Sequence, residues 1–136
     1  MDSFINLPFF DTNHRELAAR VSTFVAQEIE GRELDEHNVD DRARDYVTAL
    51  AHAGLLRYAV ASPDTPLDVR SLCLIREMLC YSSSLADLAF VMQGLGTFAI
   101  SQAAPEHVRD FWLTRAAEGR AIAAFALTEP DAGSDV

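Results

Sequence analysis

The sequence is poor in cysteine and in basic residues. Only two of its 136 residues are cysteine, and 11 lysine and arginine residues stand against 21 acidic ones, which gives a formal net charge of −10 at pH 7. A surface of that sign repels nucleic acid phosphates and anionic lipid headgroups, so we expect no nucleic acid or membrane partner. Hydrophobic residues make up 49% of the chain, which excludes intrinsic disorder and allows a core without disulfides or metals.

The two cysteines and the amino terminus both bear on the cellular compartment. Cys73 and Cys80 lie seven residues apart in an apolar, helix-like stretch, so their Cα atoms would be about 10 Å apart along a helix, too far for a disulfide. We predict that both are buried free thiols, as in a reducing compartment. No basic leader precedes an apolar run after Met1, so we predict no secretory signal and a cytoplasmic protein.

Apolar residues at helical spacing predict an all-α fold, a bundle of about five helices. We expect Asn13 and Glu16 to form a capping box at the first helix, and Ser84 and Asp87 to cap the fourth. Phe111 and Trp112 belong to the apolar face predicted for the fifth. The predicted helices cover approximately residues 13–30, 43–54, 68–81, 85–103 and 105–119.

The fourth predicted helix is apolar on almost every side, which raises the question of a membrane span. Asp87 and Gln93 interrupt it, and we therefore interpret it as the helix at the centre of the bundle, surrounded by protein. Gly94 and Gly96 within it each cost about 1 kcal/mol of helix propensity relative to alanine. Such a cost indicates that something approaches the backbone closely there, either a neighbouring helix or a ligand.

Several kinds of catalytic or binding motif are missing. The four histidines fall on separate predicted elements without metal-ligand spacing, so we expect no metal site. Gly94-Leu95-Gly96 lies inside a helix rather than between a strand and a helix, which argues against a dinucleotide loop. No serine has the surroundings of a hydrolase nucleophile.

The carboxyl end is the most distinctive part of the chain. Residues 121–127 are short and apolar, and they predict a strand. The polar stretch from Thr128 to Asp135 follows, and Gly133 in it tolerates unusual backbone angles. Such an exposed polar ledge after an apolar strand suits an aromatic cofactor or is simply a capped turn, and both interpretations remain open at this point.

The stretch Thr128-Glu129-Pro130-Asp131-Ala132-Gly133-Ser134-Asp135, preceded by Phe125-Ala126-Leu127, resembles the flavin-contacting signature of the acyl-CoA dehydrogenase family. The resemblance implies that residues 1–120 form the family's amino-terminal helical domain. It also implies that residues 121–136 begin its middle β domain with a short strand, and that the rest of the β domain and a carboxyl-terminal helical domain lie beyond Val136 in a longer protein.

The same resemblance implies an FAD-dependent oxidoreductase that introduces an α,β double bond into an acyl-CoA thioester. An electron-transfer flavoprotein or a similar acceptor would reoxidise the flavin, and the protein would form a homotetramer or dimer. In the family the catalytic base is a glutamate of the carboxyl-terminal domain, so no residue of this chain is assigned as catalytic. Glu129 lies within the signature, where we expect a structural role, and the fragment alone should be inactive.

The resemblance also implies a set of binding residues. Thr128 would hydrogen-bond the flavin edge, and Ser134 would contact both the cofactor and the CoA part of the substrate. Val91 and Leu95 would line the acyl pocket. The full set of implied cofactor-binding residues is Phe125, Leu127, Thr128, Gly133 and Ser134.

Two other functions stay open at the level of sequence. One is a relative of the same fold with different oxygen chemistry, namely an acyl-CoA oxidase or a flavin monooxygenase. The other is a non-catalytic helical subunit that completes the flavin site of a partner protein.

Overall fold

The computed structural model describes residues 4–31, 38–62 and 66–133, and these residues form five α-helices and no β-strand. The prediction of an all-α fold with about five helices is confirmed. Two short 3-10 helices, Phe4–Asn6 and Leu56–Tyr58, accompany them. The α-helices are α1 (Thr12–Glu28), α2 (Val39–His52), α3 (Val69–Ser82), α4 (Ser84–Ala103) and α5 (Glu106–Ala117).

Helix α4 lies at the centre of the fold, because it packs against α2, α3 and α5, while α1 packs on α3. The core between these helices is apolar and includes Phe90, Leu50 and Ile75, which are fully buried. Burial of such side chains is the main contribution to the stability of the folded state. The central position predicted for this helix is therefore confirmed.

The prediction that α4 is surrounded by protein on every side is wrong. Leu88, Leu95 and Phe98 are exposed, whereas Asp87 and Gln93 are buried. Three packed helices do not cover the whole circumference of a fourth, and composition alone does not show which face stays open. By length and hydropathy α4 is also the one helix in the described ranges that could cross a membrane. Its buried face carries the polar side chains, which pair within the protein.

Side-chain caps begin three of the helices in the described residues, and the two caps that the sequence predicted lie at other positions. Asp11 caps α1 and exchanges hydrogen bonds with His14, so the predicted Asn13–Glu16 capping box is wrong. Asp68 caps α3, and Ser83 rather than Ser84 caps α4 by accepting from the Ala86 N–H. In each case a short polar side chain accepts a backbone N–H that has no partner within the helix.

Two further expectations, both about which side chains are buried, are wrong. Cys73 and Cys80 are exposed, because they lie on the outer side of α3, opposite the residues that contact α1 and α4. Phe111 and Trp112 are also exposed, and Leu113 and Ala116 form the buried face of α5. The apolar residues of α3 and α5 surround most of each helix, so their spacing did not define a single inner face.

The strand predicted at residues 121–127 is not present in the described part of the chain. These residues form no regular secondary structure and pair with no other strand in the described ranges, and an isolated antiparallel bridge joins Glu129 to Ala132 further on. A strand needs a neighbouring strand to satisfy its backbone groups, and the described helices offer none. The boundary predicted between two domains at residue 120 stays a prediction.

Candidate functional site

The candidate site is the carboxyl segment, which we define as residues 121–133. Gly119 ends α5 with a φ of +69°, and the N–H groups of Arg120 and Ala121 bond back to the Arg115 carbonyl. A Cβ at residue 119 would lie 2.7 Å from Ala51, so glycine is required there for space as well as for φ. This turn directs the carboxyl segment back along α4.

The amide of Gln93 holds the beginning of the carboxyl segment. Gln93 is fully buried in the middle of α4, and its Nε2 donates to the carbonyls of Ala116 at 3.0 Å and Ala121 at 2.8 Å. Its Oε1 accepts the N–H of Ala123 at 2.6 Å. One side chain therefore satisfies three backbone groups, in α5 and in the carboxyl segment.

The two glycines of α4 meet two different pieces of backbone. A Cβ on Gly96 would lie 2.7 Å from the Ala124 carbonyl oxygen and 2.8 Å from the Ala124 nitrogen. A Cβ on Gly94 would lie 2.7 Å from the Ala59 carbonyl oxygen. Both distances are shorter than a carbon side chain tolerates, so the chain's own backbone explains both glycines. The neighbour at Gly96 is the carboxyl segment rather than a helix.

Beyond this anchor the carboxyl segment is open. Phe125 is 46% exposed and Leu127 is 54% exposed, and Thr128 is exposed beside them. Within the described residues, the backbone groups from 124 to 128 form no hydrogen bond. The structure therefore brings together Phe125, Leu127 and Thr128, with apolar surface, a hydroxyl and free backbone groups on one short stretch.

The remaining residues implied by the resemblance lie less close to this stretch. Gly133 is exposed, its φ is not positive and a Cβ there would meet nothing within 4 Å, so within the described residues neither φ nor space requires glycine. Ser134 lies outside the described residues. Val91 is half-buried and Leu95 is exposed on α4. Leu95 is next to Gly96, and therefore close to where α4 meets the carboxyl segment.

An apolar cavity of about 290 Å³ lies beside the same helix. Leu88 and Met92 line it from α4, and Ile122 lines it from the carboxyl segment. Val91 and Leu95 are not among its lining residues. The cavity adjoins the anchored part of the carboxyl segment, because Gln93 and Ala123 also reach its wall.

The strongest ion pair near the centre of the fold supports α4 from the side of α3. Arg76 donates to both carboxylate oxygens of buried Asp87, at 2.9 and 2.8 Å. The hydrogen bonds to Asp87 raise the pKa of Arg76 above its ordinary value, so the Arg76 guanidinium stays charged in the native state. The pair fixes α4 relative to α3 and does not involve the carboxyl segment.

A second polar cluster lies at the beginnings of α1 and α3. Buried His14 has Nδ1 2.9 Å from Asp11 and Nε2 2.7 Å from Asp68, and the Ser71 hydroxyl donates to Asp68 at 2.8 Å. Desolvation acts to raise the pKa of Asp68, but hydrogen bonds from Ser71, His14 and Arg70 outweigh it and hold that pKa well below its ordinary value. The cluster joins two helices, and its hydroxyl, that of Ser71, donates to Asp68 rather than to His14.

The sequence analysis missed the roles of Gln93 and His14. The signal for Gln93 was present, because it is a long polar residue in the middle of an apolar helix, and a buried amide needs partners. His14 gave no comparable signal, because its carboxylate partner Asp68 is 54 residues away. Across residues 4–31, 38–62 and 66–133, no three histidine, cysteine or acidic side chains are arranged to hold a metal ion.

The chain matches a protein-family model. Residues 11–120 match the family model for the acyl-CoA dehydrogenase N-terminal domain. The comparison with curated proteins returns no match. The matched range contains all five described helices and ends immediately before the carboxyl segment. The match therefore covers the helices and not the carboxyl segment.

Proposed function

The chain belongs to the acyl-CoA dehydrogenase family by its amino-terminal helical domain, and from this premise we propose that it forms one side of an FAD site. The enzyme that contains this site would oxidise an acyl-CoA thioester between its α and β carbons. The carboxyl segment would contact the flavin, and the exposed face of α4 would contact the acyl chain.

The observation that carries this proposal is the exposed stretch from Phe125 to Thr128. An isoalloxazine ring has a flat face that binds apolar side chains and edges that need hydrogen bonds. Phe125 and Leu127 offer apolar surface, while the unbonded backbone groups of residues 124–128 offer donors and acceptors. The residues present thus fit a flavin, and the anchor at Gln93 holds them in place.

Thr128 is the residue that we assign to the reactive edge of the ring. When bound, FAD supplies the hydride acceptor. The exposed hydroxyl of Thr128 would donate a hydrogen bond to that edge and stabilise the negative charge that develops there. Ser134, six residues later in the signature, is proposed to contact both the cofactor and CoA.

The acyl chain would lie along α4. Leu95 is exposed one residue before Gly96, where α4 and the carboxyl segment touch, and Val91 lies one turn earlier. Each methylene of an acyl chain buried against such a surface contributes about 0.8 kcal/mol. The neighbouring cavity between Leu88, Met92 and Ile122 offers further apolar surface.

No residue of this chain is proposed as the base that removes the α-proton. Glu129 is exposed, and its backbone is bonded to Ala132 in a tight turn, which suits a structural role. The base is proposed to lie outside this chain's sequence, as are the contacts that close the flavin site. An electron-transfer flavoprotein is the proposed acceptor, and a homotetramer or dimer is the proposed assembly.

The test is to purify the full-length gene product natively, record its visible spectrum, and add acyl-CoA substrates of several lengths with an acceptor dye. We expect an oxidised flavin spectrum that bleaches on addition of substrate. A protein without flavin that reduces no dye with any acyl-CoA would overturn the proposal. Reoxidation by oxygen, compared with reoxidation by an electron-transfer flavoprotein, then separates a dehydrogenase from an oxidase or monooxygenase.

A matched pair of variants tests the role of Thr128. We expect Thr128→Val to weaken flavin binding or to shift the flavin spectrum, because the hydroxyl is lost while the shape is kept. Thr48→Val is the control, since Thr48 is also exposed but bonds to the Arg44 carbonyl on α2. Equal flavin spectra and affinities in both variants would contradict the assignment of Thr128.

A further inference from the structure

We propose that Gln93 and Gly96 are positioning residues of the flavin site, which they serve without touching the flavin. Both lie on α4, and both act on the first residues of the carboxyl segment. The inference rests on the proposed function, because it concerns where Phe125, Leu127 and Thr128 are placed for the cofactor.

First, the bond between Gln93 and Ala123 is the last hydrogen bond that holds the backbone before residues 124–128. The N–H of Ala123 bonds to Gln93, and the next backbone groups up to residue 128 have no hydrogen bond within the described residues. Gln93 also holds the carbonyls of Ala116 and Ala121, so its amide ties the carboxyl segment to the end of α5. Removal of the Gln93 side chain would break the hydrogen bonds that hold the beginning of the carboxyl segment to α4.

The second step is that Gly96 sets the distance between the carboxyl segment and α4. Gln93 and Gly96 are three residues apart and therefore lie on adjacent turns of one face. The backbone of Ala124 occupies the space that a Cβ on Gly96 would take, at 2.7 and 2.8 Å. Any larger residue at position 96 would push Ala124 outward, and Phe125 with it.

The third step is the short connection from the anchor to the cofactor contacts. Only three residues lie between Ala124 and Thr128, so a displacement at Ala124 is passed on to Thr128 with little room to be absorbed. A hydrogen bond to a reacting ring must be placed within roughly 0.5 Å to be effective. Gln93 and Gly96 therefore govern flavin binding through the position of the segment.

The chain offers a matched control for each residue. Gly94→Ala introduces the same methyl group on the same helix as Gly96→Ala, with an equally short contact of 2.7 Å, but against Ala59 instead of the carboxyl segment. Gln102→Leu is the control for Gln93→Leu, because Gln102 is an exposed glutamine of α4 whose amide bonds to the neighbouring Ser101.

The experiment has two readouts. Hydrogen exchange of the Ala123 amide, measured on the complete 136-residue chain without flavin, reports whether the segment is anchored. The flavin dissociation constant and visible spectrum, measured on the full-length gene product, report whether the cofactor site has moved. We expect Gln93→Leu to raise the Ala123 exchange rate by roughly tenfold or more, because the only bond of that N–H is lost. Gly96→Ala should do the same.

The two variants should also weaken flavin binding by roughly tenfold and shift its absorption bands, because the loss of about one hydrogen bond has that magnitude. Gly94→Ala and Gln102→Leu should leave the flavin spectrum and affinity unchanged, even where they lower thermal stability. A purely structural role of Gln93 and Gly96 would alter stability alone.

The inference is overturned if Ala123 exchanges equally fast in the wild type and in Gln93→Leu. It is also overturned if exchange rises while flavin affinity and spectrum stay those of the wild type, or if Gly94→Ala changes the flavin spectrum as much as Gly96→Ala. A wild-type gene product without flavin is a different result, because it overturns the proposed function itself. Should Gly96→Ala fail to fold, Gly96→Ser and the comparison of Gln93→Leu with Gln102→Leu decide whether the segment's attachment governs flavin binding.

Discussion

The helical body and the carboxyl segment are held in opposite ways. In the helical body, α1 to α5, large apolar side chains such as Phe90 and Leu50 are removed from water entirely. In the carboxyl segment the large apolar side chains Phe125 and Leu127 remain exposed, and the amide of Gln93 provides the main attachment. Apolar burial holds the body, and a few directional hydrogen bonds hold the segment.

The difference separates the residues that stabilise the fold from the residues that are available to bind a ligand. A side chain that is already buried contributes to folding but has no surface left for a ligand, whereas an exposed apolar side chain contributes little to folding and is available. Residues in the segment should therefore tolerate substitution without unfolding, and buried residues in the body should not. The predictions below test this separation.

The largest effect is expected for the core of the body. Phe90→Ala should lower the free energy of unfolding by about 3–5 kcal/mol, because it removes a fully buried ring and leaves a cavity. Urea unfolding measures the difference. Phe98→Ala, on the same helix but exposed, is the control and should cost about 1 kcal/mol or less. Equal losses in both variants would mean that α4 has no distinct inner face.

A smaller loss is expected when the half-buried ion pair between Arg76 and Asp87 is broken. Asp87→Asn should lower the free energy of unfolding by about 1–3 kcal/mol, because Arg76 loses a carboxylate that it binds with two hydrogen bonds. Asp41→Asn breaks an exposed pair with Arg44 and should cost well under about 1 kcal/mol. Thermal denaturation of the two variants, side by side, checks the order.

The effect of Asp68 depends on pH. Because the pKa of Asp68 is lowered in the folded state, its carboxylate contributes stability that is fully present above the ordinary value of 3.8 and is lost as pH falls through the lowered value. Asp68→Asn should therefore be less stable than the wild type at neutral pH.

Below about pH 4 the difference between Asp68→Asn and the wild type should shrink. Asparagine also caps helices well, so the variant tests the charge rather than the cap of α3. The measurement is denaturant unfolding of both proteins at about five pH values between pH 3 and pH 7. A constant difference across this range would contradict the role of the charge.

A substitution in the carboxyl segment should hardly change stability. Phe125→Ala should alter the free energy of unfolding by less than about 1 kcal/mol, because nearly half of the ring is exposed. Under the proposed function the same variant should weaken flavin binding clearly. A large loss of stability without a change in flavin binding would reverse the contrast between the two regions.

The smallest effect is expected at the two cysteines. Both are exposed on α3, so Cys73→Ser and Cys80→Ser should each change stability by no more than about 0.5 kcal/mol. Titration of the native protein with an aromatic disulfide reagent should modify both thiols without denaturant. Thiols that react only after unfolding would indicate burial.

The sequence predicted the helices well and their environment less well. Helices α2 and α3 lie where their apolar spacing placed them, and Gly31, Gly54 and Gly119 all adopt a positive φ at helix ends. Cys80 and Trp112 were predicted to face the core, but both are exposed. Apolar spacing within one helix does not reveal which neighbours cover it, because coverage depends on residues far away in the chain.

The candidate site shows the same division. The signature from Phe125 to Gly133 was apparent in the sequence, and the structure leaves its first residues exposed. The predicted strand was wrong, since an extended segment becomes a strand only beside another one. The roles of Gln93 and Gly96 required the structure, because their partners lie 28 to 30 residues along the chain.

By itself the sequence determined five helices, their approximate ends, and the resemblance of residues 125–135 to a family signature. These features depend on spacing, caps and local backbone preferences, all of which act within a few residues. The tertiary structure alone decided which side of α4 is open, and that a buried amide and a missing Cβ hold the carboxyl segment against it. Those features depend on contacts between residues distant in sequence, which local patterns do not encode.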